Sequence, residues 1–341
     1  MTALPHSSNP TVPVHWRQLM LQNFTRWEPL ADFLELDAFH REQISPDPHF
    51  TLSLPLRLAE KISKNNLDDP ILRQFVPLKQ ETLVNKKFIS DPVGDQYVRK
   101  NNSRVLHKYQ GRALILCTSA CAMHCRYCFR QNFDYTQTQT LFEEEIQLIQ
   151  ADSSITEVIL SGGDPLALSD YKLRHLLQGV ANIPHVKRIR FHSRFPIGIP
   201  ERIDPSFLEI LKEVPKQVWF VVHVNHPREL DEDVLKSLRA IQKLAIPVLN
   251  QAVLLRGVND DLETLKLLSE LLVDNGISPY YLHQLDRVQG AAHFEVTEEE
   301  GIKLIQALTQ RLSGYAVPKY VREISGESSK TFILPYAPQC G

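Results

Sequence analysis

Between residues 111 and 312 the chain alternates short apolar runs with longer amphipathic stretches. The apolar runs are rich in Val, Ile, Leu, Phe and Tyr, as strands of a buried parallel sheet are. They cover residues 112–118, 157–161, 188–193, 218–224, 247–255 and 278–285. Helical periodicity predicts helices at roughly 141–151, 169–182, 205–213, 229–244, 261–275 and 297–312. Six β/α units in series predict an α/β fold with a parallel sheet, either doubly wound or curved into a partial barrel.

Residues 1–105 follow a different pattern. The first twelve are polar and rich in proline. From Val14 to about Leu36 large apolar side chains recur at helical spacing, a stripe more typical of a packed core than of a cofactor site. The segment from Leu54 to Lys64 predicts a further short helix, and turn-rich sequences follow it at 65–70 and 91–95. We therefore expect a mostly helical extension that wraps on the α/β part of the chain.

Composition narrows the class of protein. The chain has 341 residues, of which 43% are hydrophobic, and its formal net charge of −2 gives no electrostatic case for nucleic-acid binding. Proline or charge interrupts the apolar runs, so no membrane-spanning helix is expected. The N-terminus lacks the apolar core of a secretory signal. Clustered cysteines without such a signal indicate a reducing cytoplasm.

Polar residues interrupt the apolar runs at the same relative place, where each strand ends. The sequences at these places are Ser161-Gly-Gly-Asp-Pro165, His192-Ser-Arg194, His223-Val-Asn-His226, Asn250-Gln251 and His283-Gln-Leu-Asp286. One buried polar residue is usually a satisfied core group, but five such places in register predict one pocket at the carboxyl edge of the sheet. For His223 and His226 we expect hydrogen bonding rather than metal binding, because no carboxylate partner lies near them in sequence.

Three of the five cysteines lie within eight residues, in Cys121-Ala-Met-His-Cys125-Arg-Tyr-Cys128, just after the first of these apolar runs. A structural zinc site usually has four ligands in two pairs, and here His124 or His107 could complete such a shell. A disulfide would leave one thiol unpaired. Thiolates at this spacing can instead hold a four-iron cluster with one iron open to a small chelating ligand. The spacing alone leaves both zinc and an iron–sulfur cluster open.

The cysteine spacing is also similar to that of the radical S-adenosylmethionine (SAM) superfamily, and the wider sequence resembles its lysine 2,3-aminomutase family. The matching segments keep their order and spacing from about residue 90 to residue 335. They are His107-Lys-Tyr-Gln-Gly-Arg112, Cys121 to Arg130, Ser161-Gly-Gly-Asp-Pro-Leu166, Asn250 to Asp260, Pro279 to Asp286 and Ser313 to Pro318. The segments 66–74 and 288–294, with the short chain after Lys330, resemble the bacterial branch that supplies (R)-β-lysine for modification of elongation factor P.

The resemblance implies a partial (β/α)6 radical SAM barrel. It divides the chain into an N-terminal helical extension at 1–105, the barrel at 106–290, and a C-terminal helix with a pyridoxal 5′-phosphate (PLP) lysine segment at 291–341. It implies a [4Fe-4S] cluster on Cys121, Cys125 and Cys128, with SAM and PLP as further cofactors. It also identifies Lys330 as the PLP lysine; without the resemblance, Lys330 is an ordinary surface lysine.

The resemblance implies further site residues. Those expected to contact cofactors, besides Lys330, are Arg112 at the PLP phosphate, Gly162, Gly163, Asp164, Asn250 and Gln251. Arg130 is expected to hold the substrate α-carboxylate, for which a guanidinium fork is suited. Asp286 is expected to receive the substrate ε-ammonium. Glu323 stands near the place of a second aspartate in the metabolic enzymes of the family, so either this longer carboxylate replaces it or the amine is held differently.

The implied reaction is an isomerisation that converts (S)-α-lysine to (R)-β-lysine. A 5′-deoxyadenosyl radical made from SAM removes a hydrogen from the lysine β-carbon, and the nitrogen held by PLP migrates to that carbon. The implied partners are free L-lysine, an unidentified electron donor, and elongation factor P with its β-lysine ligase. Three alternatives stay open: a metabolic aminomutase acting on lysine, glutamate or arginine, a zinc-stabilised binding protein, and a radical SAM enzyme without PLP.

Overall fold

The computed structural model describes residues 15–100, 103–135 and 141–334. In this part of the chain one nine-stranded sheet forms the centre of the protein, and its strands lie in the same order as in the sequence. They are Val105–Tyr109 (β1), Arg112–Leu116 (β2), Glu157–Ser161 (β3), Arg188–Ser193 (β4), Gln217–Val222 (β5), Val248–Val253 (β6), Ser278–His283 (β7), Lys319–Arg322 (β8) and Thr331–Phe332 (β9). The strands from β2 to β8 pair in parallel, and β1 and β9 are antiparallel edges. The predicted α/β class with a mostly parallel sheet is confirmed, and the sheet is consistent with a partial barrel.

The six predicted strands are β2 to β7, with bounds that differ from the prediction by a few residues. Cys117, expected inside the first of them, lies just past the end of β2. The two edges of the sheet were not predicted. In β1 only Val105 and Leu106 are buried, and polar residues follow them. β8 and β9 are four and two residues long, too short to show a period of two.

Between residues 15 and 100 the chain forms five short helices: Trp16–Met20 (α1), Trp27–Phe33 (α2), Ala38–Glu42 (α3), Leu56–Glu60 (α4) and Pro70–Phe75 (α5). The single stripe predicted from Val14 to about Leu36 is therefore divided into two helices. Its break lies at Phe24, which exchanges backbone hydrogen bonds with Leu54 at 2.9 and 3.0 Å. Pairing with a distant segment has overridden the local helical pattern.

The extension shares its hydrophobic core with the sheet. Trp16 and Phe75 are 3% exposed or less and belong to the same cluster of buried side chains as Phe191 of β4 and Phe220 of β5. Trp16 also meets Phe195 edge to face, with ring centres 5.5 Å apart. The boundary predicted at residue 105 therefore does not separate two hydrophobic cores, and the predicted domain limits stay predictions.

The later helices follow the strands: Glu143–Ala151 (α6), Asp170–Ala181 (α7), Phe195–Gly198 (α8), Pro205–Lys212 (α9), Glu232–Gln242 (α10), Leu262–Asp274 (α11) and Glu298–Arg311 (α12). Five of these seven helices, all but α6 and α8, start at a capping side chain, which satisfies N–H groups that the first turn leaves free. Asp231 and Asp261 cap α10 and α11, and Thr297 and Glu300 form a reciprocal capping box at α12. No helix in the described ranges is both long and apolar enough to cross a membrane.

Candidate active site

The carboxyl edge of the sheet borders a cavity of about 570 Å³. Polar side chains at the strand ends line it, as their register predicted; they include His192, His223, Gln251, His283 and Asp286. The three clustered cysteines and Lys330 line the same cavity. Of the site residues predicted from sequence, all but Asn250 are brought together there.

The N-terminal extension holds the backbone of the loop that carries the cysteines. The side-chain amide of Asn23 donates to the Ala122 carbonyl at 2.7 Å. The N–H of His124 donates to the Ser53 carbonyl at 2.9 Å. These bonds satisfy polar groups of an irregular loop that would otherwise lack partners, and they fix the loop against the extension.

Arg126, which lies between Cys125 and Cys128, also holds the loop in place. It is 1% exposed and pairs with Glu81, with Nε 2.9 Å from Oε1. Its Nη1 donates to the Phe50 carbonyl at 2.6 Å, and its backbone N–H donates to the Gln74 carbonyl at 2.9 Å. Because a buried guanidinium needs a counter-charge, Glu81 is part of what keeps this loop in place.

The glycine pair after β3 lies directly against the cysteine loop. Gly162 has φ +112°, and the N–H of Gly163 donates to the Thr118 carbonyl at 2.6 Å. A Cβ added at Gly163 would lie 2.4 Å from the Ala120 carbonyl oxygen. Only glycine permits this approach of two backbones, so the pair sets the position of the loop; its predicted contact with SAM stays a prediction.

The donor set of three clustered thiols fits an iron–sulfur cluster with one open iron. Cys121, Cys125 and Cys128 are free thiols lining the cavity. Within residues 15–100, 103–135 and 141–334, no three Cys, His, Asp or Glu side chains converge on a point that could hold one metal ion. His124, the suggested fourth zinc ligand, has Nδ1 2.8 Å from the Thr51 carbonyl. Zinc needs four ligands round one ion, whereas thiolates at separate corners of a four-iron cluster need not converge.

The amine of Lys330 enters the cavity just before β9 and is held by Glu323, at the end of β8. Its Nζ lies 2.8 Å from Glu323 Oε2. The other oxygen of Glu323 accepts from Lys108 Nζ at 2.5 Å and from the Tyr109 hydroxyl. Burial alone would raise the pKa of Glu323, but Lys330, Lys108 and Tyr109 outweigh it and lower that pKa to about 2. Glu323 thus positions Lys330, and its predicted contact with a substrate ammonium stays a prediction.

Asp286 differs from Glu323 in having no partner. Its carboxylate makes no hydrogen bond or ion pair to any described residue, although it lines the cavity. Burial raises the pKa of Asp286 to about 7, since the nearby Lys330 only partly offsets it and Glu323 raises it further. A carboxyl group buried without a partner is suited to a cationic ligand that would complete it.

Two arginines predicted to bind anions line the cavity. Arg130 pairs with Asp95, with Nε 2.8 Å from Oδ2, and its Nη1 is 3.4 Å from the Ser161 hydroxyl. Its fork is therefore only partly available for a substrate carboxylate. Arg112 packs its guanidinium 4.7 Å from the centre of the Tyr109 ring, and its buried Nε has no hydrogen-bond partner among described residues. An unpartnered buried donor in the cavity that Lys330 also lines fits a phosphate group.

Asp164 and Gln251 line the cavity, but each also has a partner within the protein. Asp164 accepts from the Ser193 hydroxyl and from the backbone N–H of Arg194, both at 2.8 Å, and burial raises its pKa to about 6. Gln251 Nε2 lies 3.0 Å from His223 Nε2. Burial and nearby cations lower the pKa of His223 to about 3, so its neutral ring can accept this bond. The hydrogen-bonding role expected for His223 is confirmed.

Asn250 does not reach the cavity. It is 2% exposed, and its side-chain amide accepts from the Val224 N–H at 2.8 Å and donates to the Val224 carbonyl at 3.0 Å. Both polar groups are therefore used to join the ends of β5 and β6. The prediction placed Asn250 among the residues that contact cofactors directly. In the structure its side chain instead joins β6 to the segment after β5, behind the wall of the cavity.

Some cavity residues were missed from the sequence. Arg190 lies between two buried neighbours in β4, so its side chain points to the opposite face of the sheet, towards the cavity. The alternation of polar and apolar residues in β4 could have predicted this. The buried atoms Arg190 Nε, His192 Nε2 and His283 Nε2 have no hydrogen-bond partner in the described part of the chain, which fits a polar ligand. Asp95 and Lys108 gave no local signal, since their partners lie far away in sequence.

Comparison with known proteins agrees with this arrangement. The model of the Radical SAM superfamily matches residues 115–268. The L-lysine 2,3-aminomutase of Escherichia coli is 42% identical over 288 residues, which cover 83% of this chain and 83% of that protein. The L-lysine 2,3-aminomutase of Haemophilus influenzae is 41% identical over 288 residues, covering 83% of this chain and 84% of that protein. A radical SAM methyltransferase structure from Sphaerobacter thermophilus has 18% identity and a TM-score of 0.47, over 66% of this chain and 71% of that chain. The chain belongs to the L-lysine 2,3-aminomutase family of the radical SAM superfamily.

Proposed function

We propose that this protein is an L-lysine 2,3-aminomutase, an isomerase that converts (S)-α-lysine to (R)-β-lysine. Membership in the family implies a [4Fe-4S] cluster, SAM and PLP as cofactors. The observation that carries the proposal is one cavity that joins the clustered cysteines, the amine of Lys330 and the unpartnered carboxyl group of Asp286. Thiolates, an amine and a carboxylate are the groups needed for the cluster, the PLP aldehyde and a cationic substrate.

In this proposal the three cysteines, Lys330 and Arg112 bind the cofactors. When bound, the cofactors supply a carbon radical that abstracts hydrogen and a conjugated nitrogen system through which an amino group can migrate. Cys121, Cys125 and Cys128 would hold the cluster and leave one iron open for SAM. Lys330 would hold PLP through its amine, and Arg112 would offer its unpartnered Nε to the phosphate.

The substrate is held at both ends in this proposal. Asp286 would bind the ε-ammonium of lysine, and the free part of the Arg130 fork would bind the α-carboxylate. Fixing both ends limits which C–H bond can face the radical. Glutamate is disfavoured because its second carboxylate would lie against Asp286 and Glu323. Arginine stays a second candidate, because its guanidinium is also cationic.

The test is an anaerobic assay of the cluster-reconstituted protein with PLP, SAM, a reductant and L-lysine. β-Lysine is followed by mass spectrometry, with arginine and glutamate as competing substrates. Lys330→Ala should abolish product and leave iron content unchanged, whereas Lys319→Ala, at an exposed position on β8, should retain activity. Product that forms without PLP, or in Lys330→Ala, would contradict the assignment of Lys330.

We further propose that the β-lysine is made for attachment to elongation factor P, in a reducing cytoplasm and with electrons from a donor protein. Support comes from the sequence segments shared with that branch and from the free thiols. Co-expression with elongation factor P and its β-lysine ligase tests the link. The intact mass of the factor should show β-lysylation only when this chain is active; unmodified factor alongside active enzyme would point to a metabolic role.

A further inference from the structure

Arg194, just past the end of β4, has no role in the function described so far. The residue is 7% exposed, and its guanidinium reaches the cysteine loop, where Nη1 lies 2.9 Å from the Cys125 sulfur. Its Nε has no hydrogen-bond partner within the described ranges. Because arginine stays protonated in proteins, a full positive charge lies beside one of the three proposed cluster ligands.

Buried partners keep this charge in place. Arg194 Nη2 lies 2.7 Å from Glu229 Oε2 and 2.6 Å from Gln74 Oε1, and Glu229 is 0% exposed. The guanidinium also packs over the Phe75 ring, 4.7 Å from its centre. An arginine held from several sides cannot turn away from Cys125 without leaving Glu229 as an unpaired buried charge, which is costly.

The ion pair of Arg194 and Glu229 is oriented, so its electric field at Cys125 has a direction. One terminal nitrogen of Arg194 donates a hydrogen bond to the sulfur of Cys125, and the other donates to the carboxylate of Glu229. The positive charge therefore lies nearer to the sulfur than the negative charge does. In a buried site of low dielectric, that difference is not screened as it would be in water.

We propose that Arg194 positions Cys125 at the iron–sulfur cluster and raises the reduction potential of the cluster, with Glu229 opposing that effect. The inference rests on the proposed assignment of Cys125 as a cluster ligand. Reduction adds negative charge to the cluster, and N–H···S hydrogen bonds and adjacent positive charge stabilise the reduced form. The residue would thereby make the cluster easier for an electron donor to reduce.

The experiment is a redox titration of the reconstituted full-length protein, followed by electron paramagnetic resonance without SAM or lysine. Arg194→Met, of similar length but neutral, should shift the midpoint potential to a more negative value. Arg194→Lys retains the charge and should give an intermediate potential. Glu229→Gln removes the opposing charge and should shift the potential to a more positive value.

Arg202→Met is the matched control. Arg202 is also fully buried and paired, with Nη2 2.8 Å from Asp170 Oδ1, but it does not line the cavity. Its removal disturbs the fold by loss of the ion pair with the half-buried Asp170, without changing the charge beside the cysteines. The midpoint potential of Arg202→Met should equal that of the unaltered protein.

The outcomes separate this inference from the proposed function. Iron and sulfide analysis comes first: an unaltered protein without a four-iron cluster overturns the ligand assignment and the role of Arg194 together. With clusters present, an unchanged potential in Arg194→Met overturns the role of Arg194 alone, as does a shift of Arg194→Met and Glu229→Gln in the same direction. If Arg194→Met assembles no cluster, Glu229→Gln decides, and its unchanged potential overturns the inference.

Discussion

At the scale of single residues, the proposed contact of the Asp286 carboxyl group with the substrate would make lysine binding depend on pH. Burial raises its pKa to about 7, so the group is partly protonated in the empty cavity at neutral pH. Only the ionised form can pair with an ammonium, and the lysine side chain stays charged to about pH 10. The KM for lysine should therefore fall as pH rises from about 6 to about 8, which steady-state assays across that range will measure.

The variant Asp286→Asn tests the same carboxyl group. Loss of one partner of a buried charge pair costs about 2–5 kcal/mol, so kcat/KM for lysine should fall roughly 30- to 5,000-fold. The dependence of KM on pH in this range should also disappear. An Asn variant that keeps both the turnover and the pH dependence of the unaltered enzyme would show that another group receives the ε-ammonium.

The ion pairs of Glu323 stabilise the folded protein. Its pKa is lowered from 4.5 to about 2, so the stabilisation is complete above about pH 4.5 and is lost as pH falls towards 2. At one pKa unit per 1.36 kcal/mol, Glu323→Gln should lower the free energy of unfolding by about 3 kcal/mol at neutral pH. Thermal unfolding from about pH 7 to pH 3 checks this, with the exposed Glu327→Gln as a control. The difference between Glu323→Gln and the unaltered protein should shrink below about pH 4.5, and a difference that stays constant down to about pH 3 would refute the cause.

At the scale of elements, the turn after β3 and the cysteine loop have to fit each other closely. A methyl group at Gly163 would lie 2.4 Å from the Ala120 carbonyl oxygen, a contact that forces the loop to move. Gly163→Ala should therefore lower the iron bound after reconstitution severalfold while the protein still folds. Gly314→Ala is the control, because nothing lies within 4 Å of its added carbon. Equal iron content in both variants would contradict the fit.

We expect the extension to help retain the proposed cluster through the buried ion pair of Arg126 with Glu81. Glu81→Gln removes the charge that balances Arg126, which is 1% exposed. Breaking such a pair costs about 3–5 kcal/mol, and the cost falls on the cysteine loop. Iron should be lost to a chelator faster than from the exposed control Glu60→Gln. Matching rates of loss would mean that the loop is held in place without Glu81.

The sequence predicted those elements whose pattern is local. The parallel strands showed continuous apolar runs and their helices showed amphipathic periods, so both were found. The helix expected from Val14 to about Leu36 was divided, because the backbone of Phe24 pairs with Leu54. The two edges of the sheet escaped notice, since β1 is mostly polar and β9 has two residues. Long-range pairing explains the divided stripe, and the lack of a local apolar pattern explains the two missed edge strands.

At the scale of the whole molecule, the sequence predicted which residues share one cavity, with the exception of Asn250, but not which groups each residue contacts. Polar positions at strand ends predicted the cavity, and the family resemblance added Lys330 and Arg130. Neither source showed that Glu323 is held by Lys108, or that Arg194 reaches Cys125. Such contacts join side chains from distant segments, and only the folded chain defines their distances.

The order of strands in the sheet also bears on how the protein is made. Every strand pairs with the one before it in the sequence, so a chain leaving the ribosome can add each strand to a neighbour that is already in place. The cysteine loop follows β2, whereas Lys330 directly precedes β9. A nascent chain would thus complete the cysteine loop long before Lys330, the proposed PLP lysine, has been synthesised. Biosynthesis itself would separate the time of iron delivery from that of PLP attachment.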